Sequence, residues 1–506
     1  MNRSKLIRFR HGACVPLAEL PRLDFSVFRE SLLEEVAGDA RVASFFGYPT
    51  TAGLDIYAIL ARDWKGELAL LHTQVSGNYP SLTPDCPQLH LFERELAEQY
   101  GVRPEGHPWL KPVRFHRAWL PVADIWGRDP GQHPVPGDME FYRVEGEEVH
   151  EVAVGPVHAG VIEPGHFRFQ CHGEEVMHLE ISLGYQHRGI EQQLIGTPSL
   201  VTLRQLETVA GDTTIGHTTA SCQMLESLSG HDALPRAHAI RAIGLELERL
   251  ANHVGDIGAL AGDVGFLPTS SFCGRLRGDY LNLMAELCGS RFGRGLVRPG
   301  GVQFDLDAAL IERILKRLDV LEPETRGAFD ICFDSPSVLA RFEGTGRISI
   351  DDAENLGLVG VAAKACGLVR DARLHHPFGI DDEFLDMPII ETDGDVFARG
   401  NVRRRETYAS IKLIRDTLKR LPAGGIFRPL APLAPDSLAV SLCEGWRGEV
   451  VHAAITDRQG HISRYKIVDP SFHNWSGLAM ALRGQQISDF PLCNKSFNLS
   501  YCGFDL

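Results

Sequence analysis

The cysteines of this 506-residue chain are few and scattered, and no two of the eleven are spaced as a CxxC pair. Such pairs supply the thiolates of zinc ribbons, many iron–sulfur clusters and thioredoxin-like redox motifs. Their absence argues against each of these sites in this chain. It predicts thiols that are reduced and mostly buried, as in a protein of the cytoplasm.

Other features are absent as well. The chain has no run of 18 apolar residues and no apolar segment of a secretion signal near its start, so we expect neither a membrane span nor export. No glycine-rich dinucleotide loop follows a predicted strand, which leaves NAD binding without support. The formal net charge of −15 argues against nucleic acid as a partner.

The composition is that of a folded protein, with 44% hydrophobic and 23% charged residues. A chain of this length exceeds one ordinary core, so we expect more than one domain. The patterning predicts an α+β protein. It places an α/β domain at residues 1–125, a linker rich in proline and glycine at 126–145, and a second domain at 146–506.

Periodicity predicts several elements. The stretch DIYAILARDWKGELALLHTQV is typical of hairpin strands, and PQLHLFERELAEQYGV of a helix that stops at Gly101. Strands are predicted over 150–185 and a long amphipathic helix after Pro235. Further helices are predicted over 305–325 and 350–372. Near the end, Gln459-Gly460 is the expected turn of a hairpin.

Two motifs indicate a family. The stretches GPVHAGVIEPGHFRF and LGYQHRGIEQQL resemble the large subunit of membrane-bound (group 4) nickel–iron hydrogenases and the homologous 49-kDa quinone-site subunit of respiratory complex I. The stretches PRAHAIRAIGLELERLANHVGDIG, GSRFGRGLVRPGGV and DPSFHNW continue the resemblance in order. FERELAEQYGVRPEGHPWLKP is similar to the 30-kDa α/β subunit, fused here as in formate hydrogenlyase. The resemblance implies a small α/β domain followed by a mainly α-helical domain with peripheral β-hairpins.

The resemblance also implies where a metal would bind. Hydrogenases of this family hold nickel and iron through two CxxC motifs, whose soft thiolates suit these metals. The four ligand positions fall here on Ala210, Thr213, Ser500 and Gly503. These side chains supply no thiolate, so we expect no metal and no other cofactor in this chain, and no C-terminal processing linked to metal insertion.

The quinone contacts implied by the complex I relatives are mostly absent too. A tyrosine of the same loop would fall on Gly211, and the arginine that usually precedes the loop is replaced by Thr208. Of the two histidines in a HPxxHG pattern, the first is matched by His158 and the second falls on Ile162. These replacements argue against ordinary quinone reduction.

Polar residues remain around the loop VAGDTTIGH. Asp212, Thr213, Thr214 and His217 form a candidate proton-relay pocket, since a carboxylate beside a histidine suits that role. The alternative is that they fill the vacated metal site with satisfied hydrogen bonds, or that Thr218 caps the next helix.

Two further candidates come from the resemblance. Glu163 lies where hydrogenases place a carboxylate for proton exit, with a structural salt bridge as the alternative. Arg447 matches an arginine whose side chain lies above the active site in this family. The predicted catalytic set is therefore Glu163, Arg447, His158, Asp212 and His217.

Two other polar groups are interpreted as structural. Glu246, Arg249 and His253 recur along one helix and are predicted to form a packing network. His187, Arg188 and Glu191 are predicted to lock strand to helix and to face a neighbouring subunit.

The resemblance implies a peripheral-arm subunit at the cytoplasmic side of the inner (plasma) membrane. Its implied partners are a small subunit with a four-iron–four-sulfur cluster and antiporter-like membrane subunits. Such a subunit passes electrons to a quinone-like or other acceptor, or relays redox energy to ion translocation. The alternative is a non-catalytic scaffold that docks the iron–sulfur subunit onto the membrane subunits.

Overall fold

The structure is a computed structural model that describes residues 6–122, 124–129, 131–160, 162–377 and 388–506. Its strands are β1 Ile7–Phe9, β2 Cys14–Pro16, β3 Arg22–Leu23, β4 Arg41–Thr50, β5 Gly53–Arg62, β6 Glu67–Val75, β7 Tyr79–Pro80, β8 Pro104–Glu105, β9 Val149–Val154, β10 His166–His172, β11 Glu175–Ser182, β12 Val297–Arg298, β13 Gly301–Val302, β14 Ser437–Glu444, β15 Glu449–Thr456 and β16 Ile462–Val468.

Its helices are α1 Phe25–Ala37, α2 His90–Tyr100, α3 Ile190–Gln193, α4 Leu200–Leu206, α5 Thr214–Leu228, α6 Pro235–Asp263, α7 Leu267–Cys288, α8 Ala308–Phe333, α9 Pro336–Phe342, α10 Ile350–Asn355, α11 Gly360–Lys364, α12 Ala372–His375, α13 Val396–Lys419, α14 Pro470–Ala481, α15 Phe490–Phe497 and α16 Tyr501–Asp505. The mixture confirms the predicted α+β class. Within the described part of the chain, no helix combines the length and the apolarity needed to cross a bilayer.

The N-terminal sheet has the strand order β1-β6-β5-β4, with β3 parallel to β6. The predicted hairpin is confirmed as β5 and β6, which pair antiparallel from Leu54 opposite Val75 to Arg62 opposite Glu67. The predicted helix stop is also confirmed. Helix α2 ends at Gly101, whose φ of 68° is the left-handed conformation that glycine adopts without strain.

The C-terminal hairpin is confirmed as β15 and β16, with Gly460 (φ 77°) in the turn. A strand from the far end of the chain joins it, because the sheet order is β16-β15-β14-β2. Strand β2 pairs antiparallel with β14, where Val15 lies opposite Leu438. Local patterning does not predict this pairing between the two ends of the chain.

The helical core is built around α6, which begins at Pro235 as predicted and packs on α7 and α13. Its residues Ile240, Ile243, Leu247 and Leu250 have no exposed surface. Nine of the eleven cysteines are buried, which confirms the prediction that most of the thiols are buried.

Two helix predictions need correction. The helix expected over 305–325 is α8, which continues to Phe333. The single helix expected over 350–372 is wrong, because the segment forms three short helices, α10 to α12. Glycines break it. Gly360 has φ 59°, and a Cβ there would lie 2.1 Å from the carbonyl oxygen of Arg447.

The N-terminal sheet and the helical part are joined by buried ion pairs. Arg41 on β4 donates to Asp63 and, across the junction, to Glu449 on β15. Lys466 on β16 contacts Glu95 on α2 at 2.7 Å. One continuous hydrophobic core also runs from the N-terminal sheet into the C-terminal sheet and the last helices, while the bundle around α6 has a core of its own. The described residues of 106–148 form no helix or strand, and the domain boundaries at 125 and 146 stay predictions.

Candidate functional site

The loop at the start of the stretch VAGDTTIGH connects α4 to α5. Its Thr213 N–H donates to Ala210 O at 2.9 Å, which closes a turn directly before the helix. The first turn of α5 is capped by Glu248 of α6, whose two carboxylate oxygens accept from the N–H groups of Ile215 (2.7 Å) and Gly216 (3.2 Å). The prediction that Thr218 caps this helix is wrong, because α5 already begins at Thr214.

Asp212 forms a two-pronged ion pair with Arg447. Nη1 donates to Oδ1 at 2.6 Å and Nη2 donates to Oδ2 at 2.7 Å. Burial alone would raise the pKa of Asp212, but the Arg447 guanidinium outweighs it and holds that pKa below its ordinary value. Arg447 also donates to Thr213 Oγ1 and to Asn498 O. The pair therefore ties the loop to the chain segment that precedes the C-terminal turn.

The second turn with lost ligand positions is the start of α16. Ser500 is its N-cap, and its Oγ accepts from Gly503 N at 2.9 Å. A Cβ added to Gly503 would lie 2.6 Å from Asp469 Oδ2, which is closer than real Cβ contacts come. A carboxylate therefore stands against the position at which a fourth thiolate would project.

The residues present do not fit a nickel–iron centre. Ala210 and Gly503 carry no donor atom, and the hydroxyls of Thr213 and Ser500 are hydrogen-bonded to protein groups. Across the described ranges, no group of three or more His, Cys, Asp or Glu side chains is arranged to hold a metal ion. Hydrogen bonds and one ion pair occupy the region instead.

His217 begins a buried chain of hydrogen bonds. Its Nε2 lies 3.0 Å from Asp469 Oδ2, and its Nδ1 lies 3.1 Å from His452 Nε2. His452 Nδ1 then meets Tyr465 Oη at 2.8 Å, and Tyr465 Oη lies 2.9 Å from Ser221 Oγ. All five side chains are fully buried or nearly so.

The protonation states along this line of hydrogen bonds follow from the surroundings of each side chain. Burial and the neighbouring His217 hold the pKa of His452 well below its ordinary value, so this ring is neutral. Burial would raise the pKa of Asp469, but the hydrogen bond and charge of His217, with Arg447, keep it lowered. Sequence reasoning missed Asp469, His452 and Tyr465. The available signal was a histidine within the apolar strand VVHAAIT.

Glu163, in the segment between β9 and β10, is the next predicted site residue. It is half-buried, and its charge acts on the Cys502 thiol, whose pKa is raised to about 12 by burial first and by Glu163 second, with a contribution from Asp212. The charges of both carboxylates therefore act on Cys502. His158 is held within its own turn, where Nε2 contacts Gly165 O at 2.9 Å. Of the five predicted site residues, only Asp212 and Arg447 contact each other directly; His217 is linked to them through the charge of Asp469.

The predicted packing network on α6 is confirmed and is larger than expected. Glu246 is bound by Arg249 and by Arg373, and Glu406 by His253 and Lys364. All are buried. The complete cluster contains four carboxylates and three fixed cations: Glu246, Asp371, Glu406 and Glu444 with Arg249, Lys364 and Arg373.

The predicted strand-to-helix lock also forms. Arg188 donates to the carbonyl oxygens of Thr208, Val209 and Cys502, so one side chain holds both turns that carry the lost ligand positions. Glu191 binds Lys466 and Arg464 in the buried junction described above.

Comparison with known proteins gives two family matches. Residues 42–134 match the family described as the 30 Kd subunit of respiratory-chain NADH dehydrogenase. Residues 263–437 match the family described as the 49 Kd subunit of the same enzyme. The two matches follow each other in one chain.

Individual relatives agree. Formate hydrogenlyase subunit 5 of Escherichia coli (strain K12) is 30% identical over 436 residues, which is 84% of this chain and 76% of the relative. Carbon monoxide-induced hydrogenase of Rhodospirillum rubrum is 31% identical over 350 residues, 69% of this chain and 97% of the relative. NADH-quinone oxidoreductase subunit 4 of Thermus thermophilus is 30% identical over 371 residues, 68% of this chain and 90% of the relative.

Proposed function

This chain belongs to the family of the 49 Kd subunit of respiratory-chain NADH dehydrogenase and its hydrogenase relatives, fused to a 30 Kd subunit-like segment, and we propose that it serves as a redox-arm subunit without a nickel–iron centre. The observation that carries the proposal is the Asp212–Arg447 pair, which lies beside the positions where the resemblance places thiolates. A relative that kept the metal would need that space for thiolates.

In this proposal the chain works within a larger membrane assembly. A small subunit with a four-iron–four-sulfur cluster supplies electrons. Antiporter-like membrane subunits use the energy of this electron transfer to translocate ions. The assembly lies at the cytoplasmic side of the inner membrane. The pocket around Glu163, Cys502 and Asp212 exchanges protons as electrons pass to a quinone-like or other acceptor.

An exposed apolar surface supports the need for a partner. On α4, directly before the loop, Leu200 is 77% exposed and Val201 is 66% exposed. A groove of about 750 Å³ runs beside them, with Leu203, Phe427 and Leu430 in its walls. Large apolar side chains grouped at one place on a surface are typical of protein–protein contact.

A second candidate function is a scaffold that binds the iron–sulfur subunit and does no chemistry. The observation that favours it is that polar side chains at and beside the expected ligand positions already have hydrogen-bond partners. Asp212, Thr213 and Ser500 are all bound by protein groups. The retained carboxylate at Glu163, beside a half-buried thiol, favours a working pocket instead.

The proposal is tested by isolating the assembly through a tag on this chain from membranes of its own host. We expect a small iron–sulfur protein and polytopic membrane proteins to be recovered with it, with an electron paramagnetic resonance signal of a four-iron–four-sulfur cluster. Leu200→Glu with Val201→Glu should reduce recovery of the iron–sulfur subunit, and Ile331→Glu, an exposed residue on α8, is the matched control. Recovery of the chain alone from the soluble fraction would contradict the proposal.

A further inference from the structure

A cavity of about 240 Å³ lies at the junction of the N-terminal part with the rest of the chain, and its wall residue Phe504 directly follows Gly503 in α16. Helix α2, the outer strand β11 and helix α14 form its walls. A cavity of about 150 Å³ is already large enough to hold benzene. The volume therefore suits an organic molecule with roughly ten non-hydrogen atoms.

The walls of this cavity are largely apolar. Trp475 and Phe504 contribute aromatic surface, and Leu91, Leu179 and Met480 contribute aliphatic surface. A ligand body made of hydrocarbon would bury apolar area on all sides, which is the main source of affinity in small-molecule sites.

Two arginines and one glutamate line the cavity, in a chain whose formal net charge is −15. Arg94 donates from Nε to Lys111 O and from Nη2 to Pro112 O, each at 2.8 Å. Among the described ranges, no carboxylate lies within ion-pair distance of Arg94 or of the exposed Arg483, and both line the cavity. Burial lowers the pKa of Arg94 to about 10, although the charges of Glu180 and Glu98 act in the other direction.

The one carboxylate in the walls forms no ion pair with these arginines, although its charge acts on Arg94. Glu180 Oε1 is bound by Lys111 Nζ at 2.6 Å, and Oε2 accepts from Tyr142 N at 2.7 Å. Two further wall atoms, His178 Nε2 and Ser182 Oγ, are buried and have no hydrogen-bond partner in the described part of the chain. Buried polar atoms without partners are uncommon and call for an explanation such as a bound molecule.

We propose that this cavity is a binding site for a small organic monoanion, a carboxylate on an apolar body, with the anionic end at Arg94 and Arg483. Guanidinium groups bind carboxylates through charge-assisted hydrogen bonds. His178 and Ser182 supply further hydrogen bonds, and the hydrocarbon body lies against Trp475 and Phe504. This ligand site does not rest on the proposed redox role, although its wall residue Phe504 directly follows Gly503.

The test measures binding to the purified full chain by calorimetry, with three probes. Octanoate carries both a charge and an apolar body, 1-octanol carries the body alone, and inorganic phosphate carries charge alone. We expect one octanoate site with a Kd below ~1 mM, 1-octanol at least about tenfold weaker, and no phosphate binding.

Substitutions locate the site. Arg483→Met is exposed and should weaken octanoate at least about tenfold, the effect of losing a charge-assisted hydrogen bond. Ala479→Phe, which fills the cavity without changing charge, should abolish binding. Arg458→Met, an exposed arginine in the β15–β16 turn, is the matched control and should bind as the parent does. The proposal is overturned if octanoate does not bind, if phosphate binds equally well, or if both cavity variants bind normally.

Discussion

The guanidinium of Arg447 and the carboxylate of Asp212 are joined by two hydrogen bonds of 2.6 and 2.7 Å, across 235 residues of sequence. The pair lies beside the positions from which thiolates would hold a metal in a hydrogenase of this family. Because the backbone carbonyl of Asp212 also accepts from Trp446 and Asn252, the loop is fixed from three directions. These side-chain contacts hold the loop in place.

Arg447→Met should destabilise the fold by about 1–3 kcal/mol, because it leaves the Asp212 carboxylate without its cation. This cost is below that for a fully buried pair, since the Asp212 side chain is 33% exposed. Denaturant unfolding measures it. In the double variant Arg447→Met with Asp212→Asn, part of the stability should return, because the unpaired charge is gone. Equal stability of the parent and Arg447→Met would show that the pair contributes nothing.

The purified assembly should contain no stoichiometric nickel and should not reduce a dye with hydrogen. The reason is the chemistry of Ala210, Thr213, Ser500 and Gly503, none of which supplies a thiolate. Elemental analysis and a dye-reduction assay check this, with an active nickel–iron hydrogenase as the positive control. One nickel per chain, or hydrogen-dependent dye reduction, would overturn the assignment.

Glu163→Gln should lower coupled turnover of the assembly at least about tenfold, within the range for loss of general acid–base help. The amide keeps the shape of the side chain but cannot exchange a proton. Assembly should be unchanged, as judged by recovery of the partner proteins. Glu174→Gln, an exposed glutamate in the β10–β11 turn, is the control. If Glu163→Gln turns over normally at every pH tested, Glu163 is structural and the scaffold function becomes the better account.

Glu248 should make stability depend on pH. Burial raises its pKa to about 8 in the folded chain, although the Ile215 and Gly216 N–H groups act in the other direction. An unfolded glutamate titrates near pH ~4.3. The folded state therefore binds the proton more tightly, so this contribution is fully present below pH ~4.3 and is lost as the pH rises through about 8.

The measurement compares the free energy of unfolding of the parent and Glu248→Gln from acid to mildly alkaline pH. The parent curve should fall more steeply with rising pH, by up to about 1.4 kcal/mol per pH unit, because only the parent titrates. Glu174→Gln should follow the parent. Parallel curves for the parent and Glu248→Gln would show that Glu248 does not titrate in this range.

Much of the fold was accessible from local sequence patterns. Period-two alternation predicted β5 and β6, the glycine at 460 predicted the turn of the last hairpin, and period 3.6 after Pro235 predicted α6. These signals work because the backbone geometry of strands, turns and helices repeats over a few residues. The helix predicted over 350–372 failed because Gly360 takes φ 59° beneath a carbonyl of a distant segment, a contact that no local pattern records.

The expectation of no nickel–iron centre comes from the sequence without any structure, since side-chain identity at the four positions implied by the resemblance decides whether thiolates are present there. What replaced the metal ligands depends on three-dimensional packing: the pairing of Arg447 with Asp212, the place of Asp469 against Gly503, and the buried line from His217 to Tyr465. These contacts join segments more than 200 residues apart or depend on how strands stack against α5. Sequence spacing cannot encode such distances, because they are set by the packing of whole elements around a shared core.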